Sequence, residues 1–259
     1  LPALSRLEIS KAILAMPEAS PGLIARIVSE LNSAGIDHDI LPSVSCILGR
    51  KFSVERLRHV APEDLLGRAP VSLDEDSINT MIHGARVLVT GCGPIGSLCV
   101  LAARWAGAAE VVATDITDQT LARARLVGAD HTINTATTPE GLDAYKANKG
   151  HFDVLIEASG NAKALVAAFE VLRPRGVIVQ VGTGGDTTIP MNVLVAKEFE
   201  WRGTFRFHEE FALAVALMNQ RRVDVKPLIS HSLPHTEFAQ AFALAADRTQ
   251  SMKVQLSFA

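Results

Sequence analysis

The stretch VLVTGCGPIGSLCVLAARWAGAAEVVATD, residues Val87–Asp115, decides the fold of this 259-residue chain. Gly91, Gly93 and Gly96 spell G-x-G-x-x-G between RVLVTG, which predicts a strand, and PIGSLCVLAARWAG, which predicts a helix. The first glycine permits a tight turn, the second a close backbone approach to a pyrophosphate, and the third close packing of helix on strand. The pattern predicts a dinucleotide-binding turn; the alternative is a glycine-rich structural turn without a ligand.

Two further features of the stretch concern phosphate and ribose. The predicted helix starts at Pro94 and Ile95, and the free backbone N–H groups of its first turn together with the helix dipole favour phosphates. Asp115 ends the next predicted strand, EVVATD. A carboxylate there accepts hydrogen bonds from ribose hydroxyls and repels a 2′-phosphate, so it predicts NAD rather than NADP as the cofactor.

The rest of the chain from Ile82 onward alternates predicted strands with predicted helices. The later elements include the strand FDVLIEASG, the helix KALVAAFEVLRPRG ending at Gly176, the strand VIVQVGTGG and a sixth strand EWRGTFRF. Such alternation is typical of parallel β-α-β units with right-handed crossovers. We therefore predict an α/β fold, a Rossmann-type doubly wound parallel sheet, with the NAD-binding domain and its C-terminal tail over residues 81–259.

Residues 1–80 have a different organisation. KAILAM and DHDILPS predict two short strands around a helix whose N-cap is Ser20 and whose first residue is Pro21, with Gly35 at its end. This is a partial β-α-β unit, which we interpret as a Rossmann-like N-terminal region followed by a turn-rich linker. It exposes a sheet edge that favours pairing with another strand.

Composition excludes several classes of function. The net charge of −3 provides no basic field for nucleic acid or anionic lipid, and no apolar run reaches the ~18 residues of a membrane segment. Cys46, Cys92 and Cys99 form no CxxC pair, which favours the reduced cytoplasm. Because the chain starts at Leu1 rather than Met, we interpret it as a fragment or a processed form.

Residues of about 84–259 resemble the medium-chain dehydrogenases, and within them the sorbitol, threonine and L-idonate 5-dehydrogenase branch. The resemblance rests on VLVTGCGPIG, VGADHTIN, FDVLIEASG, GVIVQVGTGG, KEFEWRGTFRF and ADRTQSMKVQLSF. It implies an NAD-dependent oxidoreductase acting on a secondary alcohol of a polyol or sugar acid, and a homodimer formed through the sixth strand.

The same resemblance implies roles for residues beyond the glycine turn. Residues along the cofactor and around the nicotinamide would be Ala158, Ser159, Gly160, Val181, Gly182, Thr183, Thr204, Phe205 and Arg206. Arg206 and Phe207 would lie near the substrate. The alternative for Phe205 and Phe207 is packing on an edge strand, since alternation places both on one face.

The family also implies a catalytic zinc, held by Cys, His and Glu ligands in a preceding domain with a GHE segment. This chain has no such segment, and Pro234 interrupts the i, i+4 pair His231 and His235. We therefore expect no metal site here. The chain is expected to supply cofactor binding and orientation without the acid–base or metal chemistry, and its catalytic residues stay unassigned.

Residues 1–80 are similar to another family. KAILAMPEASPGLIARIVSELNSAGIDHDILPSV and LRHVAPEDLLGRAPVSLD resemble the N-terminal region of nucleotide-sugar dehydratases and epimerases of polysaccharide biosynthesis. The change of family is expected between Ile82 and Gly96. Two alternatives to the dehydrogenase follow: a non-catalytic NAD-binding or assembly module, and a nucleotide-sugar modifying protein.

Tyr145 and Lys149 form Y-x-x-x-K, the spacing of the catalytic pair in short-chain dehydrogenases. They follow the glycine turn by only about 50 residues, in a polar segment, whereas the short-chain pair comes much later in its chain. A solvated surface helix is the preferred interpretation.

Overall fold

The computed structural model describes residues 9–16, 19–40, 58–59, 81–206 and 210–258. The chain divides into two compact units, Leu1–Ser72 and Leu73–Ala259. The predicted domain boundary at residue 80 falls outside the described residues and stays a prediction.

The first unit contains a parallel β-α-β arrangement, as predicted. Strand β1 (Lys11–Leu14) pairs in parallel with β2 (Asp37–Ile40), and helix α1 (Pro21–Ser33) connects them. The Ser20 side chain accepts a hydrogen bond from the Leu23 backbone N–H at 3.3 Å, so it caps the helix. A two-residue strand β3 (Arg58–His59) pairs antiparallel with β2. The apolar face of α1 packs on the strands, and the buried residues there are Leu14, Ile24, Leu31, Ile36 and Ile40.

The second unit is built on a six-stranded sheet. Its strands are β4 (Arg86–Thr90), β5 (Glu110–Asp115), β6 (His131–Asn134), β7 (Phe152–Glu157), β8 (Leu172–Gln180) and β9 (Glu200–Gly203). Its helices are α2 (Pro94–Trp105), α3 (Asp118–Leu126), α4 (Ala162–Val171), α5 (Met191–Ala196) and α6 (Glu210–Asn219). A second, two-stranded parallel sheet of β10 (Ile229–Pro234) and β11 (Lys253–Ser257) follows, with α7 (Phe238–Ala246) between its strands.

The order of the strands confirms the predicted Rossmann-type fold. All neighbours in the large sheet are parallel, and the order is β6-β5-β4-β7-β8-β9. The chain proceeds outward from β4 to β6 and then returns to β7 on the other side of β4. The switch point therefore lies between β4 and β7, and a crevice opens there at the carboxyl ends of the strands.

Both faces of the sheet are covered. Val87 and Val89 point into one apolar cluster and Leu88 into the other, and all three are 0% exposed. Because alternate side chains of a strand point to opposite faces, this run of buried residues is typical of a central parallel strand. Each such residue contributes roughly 1.5–3 kcal/mol through burial, so the core holds the carboxyl ends of β4 and β7 in fixed positions.

Several predicted boundaries are wrong: the strands predicted through Gly160 and Gly185 end at Glu157 and Gln180, and a helix and a further strand also end early. Helix α4 ends at Val171 and not at Gly176, because Pro174 lacks an N–H and disfavours helical backbone in the residue before it. Lys197 closes the helix instead, since its Nζ donates to the carbonyl oxygens of Phe169 and Leu172, each at 2.7 Å.

The sixth strand is also shorter than predicted, because β9 ends at Gly203. The Thr204 N–H still donates to the Gln180 carbonyl at 3.0 Å, but β8 ends at Gln180 and offers no further partner. Arg206 then has a φ of +65°, which turns the chain away from extended geometry.

The helices of the described residues include none that is both long and apolar enough to span a membrane.

Candidate functional site

The glycine turn joins β4 to α2 at the switch point, and two of its glycines are required by the fold. Gly91 has a φ of +81°, and a Cβ there would lie 2.6 Å from the Cα of Ser159. A Cβ on Gly96 would lie 1.7 Å from the carbonyl oxygen of Gly91. Real side chains do not fit at such distances, so Gly91 and Gly96 allow the turn and the close packing of helix on strand.

Gly93 differs from both. A Cβ at Gly93 would meet nothing within 4 Å, and its φ of −60° and ψ of −173° are open to any residue. Neither the backbone angles nor the packing demand a glycine there. Gly93 is the N-cap of α2 and has no side chain to cap the helix, and Pro94 has no N–H, so the free backbone N–H groups of the first turn are those of Ile95 and Gly96. A bare helix N-terminus with room beside it suits a pyrophosphate.

The carboxylate of Asp115 is fixed by backbone donors at the carboxyl end of β5. Its Oδ2 accepts from the Cys92 N–H at 2.6 Å, and its Oδ1 from the N–H groups of Ile116 and Thr117 at 2.7 and 3.0 Å. The acid is therefore tied to the glycine turn. Two carboxylate oxygens accept about four hydrogen bonds in all, so capacity remains for a ribose hydroxyl.

Ala158, Ser159 and Gly160 follow β7 on the other side of the switch point. The Ala158 N–H donates to the Thr90 carbonyl at 2.8 Å, which joins this segment to the end of β4. Gly160 has a φ of +66°, and a Cβ on it would lie 3.0 Å from the Thr183 carbonyl. The turn after β7 is therefore packed directly on the turn after β8.

Val181, Gly182 and Thr183 form the start of that second turn. The N–H groups of Val181 and Gly182 both donate to the Glu157 carbonyl at 2.8 Å. A Cβ on Gly182 would lie 2.3 Å from the Gly160 nitrogen, so Gly182 has a packing role whether or not a cofactor touches it. The geometry brings these residues and the glycine turn to one edge of the sheet.

Thr204, Phe205 and Arg206 follow β9 and do not lie on it, contrary to the prediction of a strand through them. The Phe205 side chain is 67% exposed, so packing on an edge strand does not account for it. The Arg206 guanidinium lies over the Phe205 ring, 5.0 Å from its centroid. Phe207, predicted near the substrate, lies outside the described residues.

Glu157 is the site residue that sequence reasoning missed. It ends β7, is 0% exposed, and makes hydrogen bonds to residues of both turns described above. The available signal was an acid that follows the apolar run Val154–Ile156 and immediately precedes Ala158–Gly160.

Cys92, Cys99 and His235 each have surroundings that account for them through packing. Burial raises the pKa of the Cys92 thiol far above its ordinary value, with a smaller contribution from the Asp115 carboxylate. Burial likewise raises the pKa of Cys99 to about 11, so both thiols are neutral at pH 7. His235 stacks on Phe258. In the part of the chain that the structure describes, no group of three or more His, Cys, Asp or Glu side chains is placed to hold a metal ion.

Tyr145 and Lys149 lie near the amino ends of the parallel strands, whereas the glycine turn lies at their carboxyl ends. Tyr145 ends a 3-10 helix, and its ring contacts His151 and Phe152 at centroid distances of 5.1 and 4.9 Å. Phe152 begins β7, whereas the crevice lies beyond the carboxyl end of that strand. A strand of this length separates the two edges by roughly 15 Å, so the Y-x-x-x-K pair does not face the crevice.

Comparisons with known proteins agree with this geometry. A family model described as zinc-binding dehydrogenase matches residues 94–220. The chain is 42% identical over 178 residues to an L-idonate 5-dehydrogenase (NAD(P)(+)) of Escherichia coli (strain K12), a match that covers 68% of this chain and 51% of the relative. It is 33% identical over 177 residues to a sorbitol dehydrogenase of Gallus gallus, covering 67% and 50%. The crystal structure of the L-idonate 5-dehydrogenase from Escherichia coli str. K-12 substr. MG1655 is similar with a TM-score of 0.65 at 41% identity, over 69% of this chain and 51% of that one.

The chain belongs to the medium-chain dehydrogenase family. It spans about half the length of the curated relatives it matches. The comparisons do not favour the non-catalytic module or the nucleotide-sugar modifying protein. They also do not support the resemblance of residues 1–80 to nucleotide-sugar dehydratases and epimerases, whose EDLLGR segment lies outside the described residues.

Proposed function

We propose that this medium-chain dehydrogenase binds NAD in the crevice at the carboxyl ends of β4, β5, β7 and β8. In this proposal the pyrophosphate lies on the N-terminus of α2, beside Gly93, Pro94 and Ile95. The observation that carries the proposal is the open space at Gly93, a position that neither packing nor backbone geometry reserves for glycine. Close approach of a ligand to the backbone explains a glycine there.

The adenosine half of the cofactor would lie over β5. The Asp115 carboxylate, fixed by Cys92, Ile116 and Thr117, would accept a hydrogen bond from a ribose hydroxyl. The same negative charge would repel the 2′-phosphate of NADP, so we propose a preference for NAD.

The other half of the dinucleotide would extend over β7 and β8, since the two halves of a Rossmann sheet lie on opposite sides of the switch point. Residues Ala158–Gly160, Val181–Thr183 and Thr204–Arg206 would then surround the nicotinamide. Arg206 and Phe207 would lie near the substrate.

The reaction that we propose is hydride transfer between NAD and a secondary alcohol of a polyol or sugar acid. The family relatives support it, because those at 42% and 33% identity are an L-idonate 5-dehydrogenase and a sorbitol dehydrogenase. The described residues supply binding and orientation of the cofactor, which are the usual contribution of the protein to such chemistry. They do not fit a zinc site, so the proposal includes no step through that metal.

We also propose that the protein is a cytoplasmic homodimer paired through β9. This strand is the last in the sheet, so one of its edges carries unpaired backbone groups. The free thiols of Cys92 and Cys99 fit a reducing compartment, and cell fractionation tests that location.

Titration of the chain with NADH and NADPH, followed by nicotinamide fluorescence, tests the cofactor proposal. Asp115→Ala should weaken NADH binding roughly tenfold, equivalent to about 1.4 kcal/mol. It should also reduce the difference between the affinities for NADH and NADPH. Asp118→Ala, at the exposed start of α3, is the matched control and should bind both cofactors as the wild type does. Unchanged NADH affinity in Asp115→Ala would contradict the role of this acid.

A further inference from the structure

Glu157 is a carboxylate buried where three strands of the sheet end. It is the last residue of β7, it is 0% exposed, and β4 and β8 flank its strand. A carboxylate in such a place is costly unless its oxygens are fully hydrogen-bonded. The cofactor roles proposed above do not use this side chain, so a buried carboxylate at this position requires another explanation.

The polar groups that contact the Glu157 carboxylate are neutral donors. The Thr90 hydroxyl donates at 3.3 Å and the Ser159 N–H at 2.8 Å, and the Ser159 hydroxyl donates as well. The Gly160 N–H lies 3.0 Å from Oε1 and 3.1 Å from Oε2, and Gln180 Nε2 donates to Oε2. An acceptor-only carboxylate suits this set of partners, because the backbone N–H groups of Ser159 and Gly160 can only donate.

These contacts connect the two sides of the switch point. Thr90 ends β4, directly before the glycine turn, whereas Ser159 and Gly160 form the turn after β7 and Gln180 ends β8. The Glu157 backbone carbonyl also accepts from the first two residues of the turn after β8, Val181 and Gly182. A single residue therefore fixes both turns on the side of the sheet away from Asp115.

The small residues of the two turns allow this close arrangement. A Cβ on Gly182 would lie 2.8 Å from Glu157 Oε2, and a Cβ on Gly184 would lie 2.4 Å from the Gly160 carbonyl oxygen. The turns therefore pack backbone against backbone around the carboxylate. Loss of the hydrogen bonds to Glu157 would therefore change the position of both turns together. The two turns meet through backbone atoms, and no side chain lies between them to keep their spacing.

We propose that Glu157 is a positioning residue, which shapes the crevice for the nicotinamide half of the dinucleotide by fixing residues 158–160 and 181–183. The proposal rests on the proposed binding of NAD. It predicts that the two halves of the cofactor respond differently to a change at Glu157. The adenosine half lies over the glycine turn and Asp115, whose own hydrogen bonds do not include Glu157.

The test compares the affinities of NADH and ADP, the latter a probe of the adenosine half alone. Glu157→Gln should weaken NADH binding about 10- to 100-fold, since an amide N–H then faces Gly160 or Gln180, while ADP affinity changes less than about threefold. The emission shift of bound NADH, which reports the surroundings of the nicotinamide, should also be reduced. Glu157→Asp retains an acceptor-only carboxylate and should restore part of both signals.

Asp153→Asn is the matched control, because it makes the same change of carboxylate to amide at the other end of β7. Asp153 pairs with Arg86 and Arg173, away from the crevice. This variant should lose stability but bind NADH and ADP with wild-type affinities, and so separates a general loss of stability from a change in the crevice.

The outcomes distinguish this inference from the proposed function. The inference is overturned if Glu157→Gln binds NADH with wild-type affinity. It is also overturned if the affinities of this variant for NADH and ADP fall by the same factor. If that variant does not fold, Gln180→Met removes one donor to Glu157 and carries the same test with a smaller selective loss of NADH. A wild-type chain that binds neither NADH nor ADP would refute the proposed function, and the inference with it.

Discussion

Gly93 and Gly96 lie three residues apart in one motif, yet the structure predicts opposite consequences for replacing them with alanine. At Gly93 the backbone has φ −60° and ψ −173°, and an added Cβ meets nothing within 4 Å. Alanine is a poorer N-cap than glycine, which lowers the free energy of unfolding by roughly 0.5–1 kcal/mol. Alanine also lowers the conformational entropy of the unfolded chain, which raises the free energy of unfolding by about 0.4–1 kcal/mol. The two effects nearly cancel, so Gly93→Ala should change the melting temperature by less than about 3 °C.

At Gly96 the added Cβ would lie 1.7 Å from the carbonyl oxygen of Gly91. The obstacle is backbone at the end of a buried strand and cannot rotate away, so helix α2 must move from the sheet. Overpacking of a core costs about 1–3 kcal/mol even when side chains can adjust. We therefore expect a loss of at least about 3 kcal/mol for Gly96→Ala, and a fall in melting temperature of about 6–12 °C.

Binding should rank the two variants differently. The Cβ of Gly93→Ala occupies the space where the pyrophosphate approaches, and the folded variant should bind NADH about 10- to 100-fold more weakly, a loss of roughly 1.4–2.8 kcal/mol. Thermal unfolding and fluorescence titration measure the two quantities on the same samples. The argument fails if Gly93→Ala binds NADH like the wild type, or if it melts as early as Gly96→Ala.

Two further predictions concern acid stability and assembly. Asp153→Asn should lower the melting temperature at pH 7 by about 2–8 °C, for a loss of about 1–2 kcal/mol. Burial alone would raise the pKa of Asp153, but the hydrogen bonds from Arg86 and the charge of Arg173 bring it below its ordinary value of 3.8. The stabilisation is therefore present above about pH 4 and disappears as pH falls through the lowered pKa, so the two proteins should converge in acid; a difference that is independent of pH would contradict this. For assembly, Gly203→Pro should shift sedimentation from dimer to monomer, because the Thr204 N–H points to β8 and alternation directs the Gly203 N–H outward; an unchanged dimer would exclude pairing through β9.

The fold of the second unit could be predicted from sequence because its signals are local and repeated. The glycine turn lies between an apolar strand and a helix, and the right-handed crossover rule then places successive strands on the correct side of β4. The wrong ends predicted for α4 and β9 arise where the local sequence pattern continues but the tertiary partners do not. The apolar pattern of the sequence continues beyond Val171, but Pro174 and the contacts of Lys197 end the helix there. Strand β9 ends because β8 ends beside it and provides no further carbonyl acceptor.

The candidate site was predictable only in part, for a related reason. The motif predicts a separate role for each of Gly91, Gly93 and Gly96, but the atoms around each Cβ position are seen only in the structure. The surroundings come from Ser159, which is distant in sequence, and from the carbonyl of Gly91 itself. The packing around Gly91 and Gly96 and the open space beside Gly93 agree with the roles expected from the motif, whereas no motif indicates the hydrogen bonds of Glu157.

Asp115 and Glu157 show how the same local pattern leads to different roles. Each ends a buried parallel strand, and each accepts from backbone N–H groups of the next two or three residues. Asp115 has one donor from another segment, Cys92, and its oxygens retain capacity for a further hydrogen bond. Glu157 has donors from both flanking strands, Thr90 and Gln180, so its oxygens are occupied by the protein. The supply of donors from neighbouring strands therefore decides whether a strand-terminal acid can bind a ligand directly or acts on it only through the turns that it fixes.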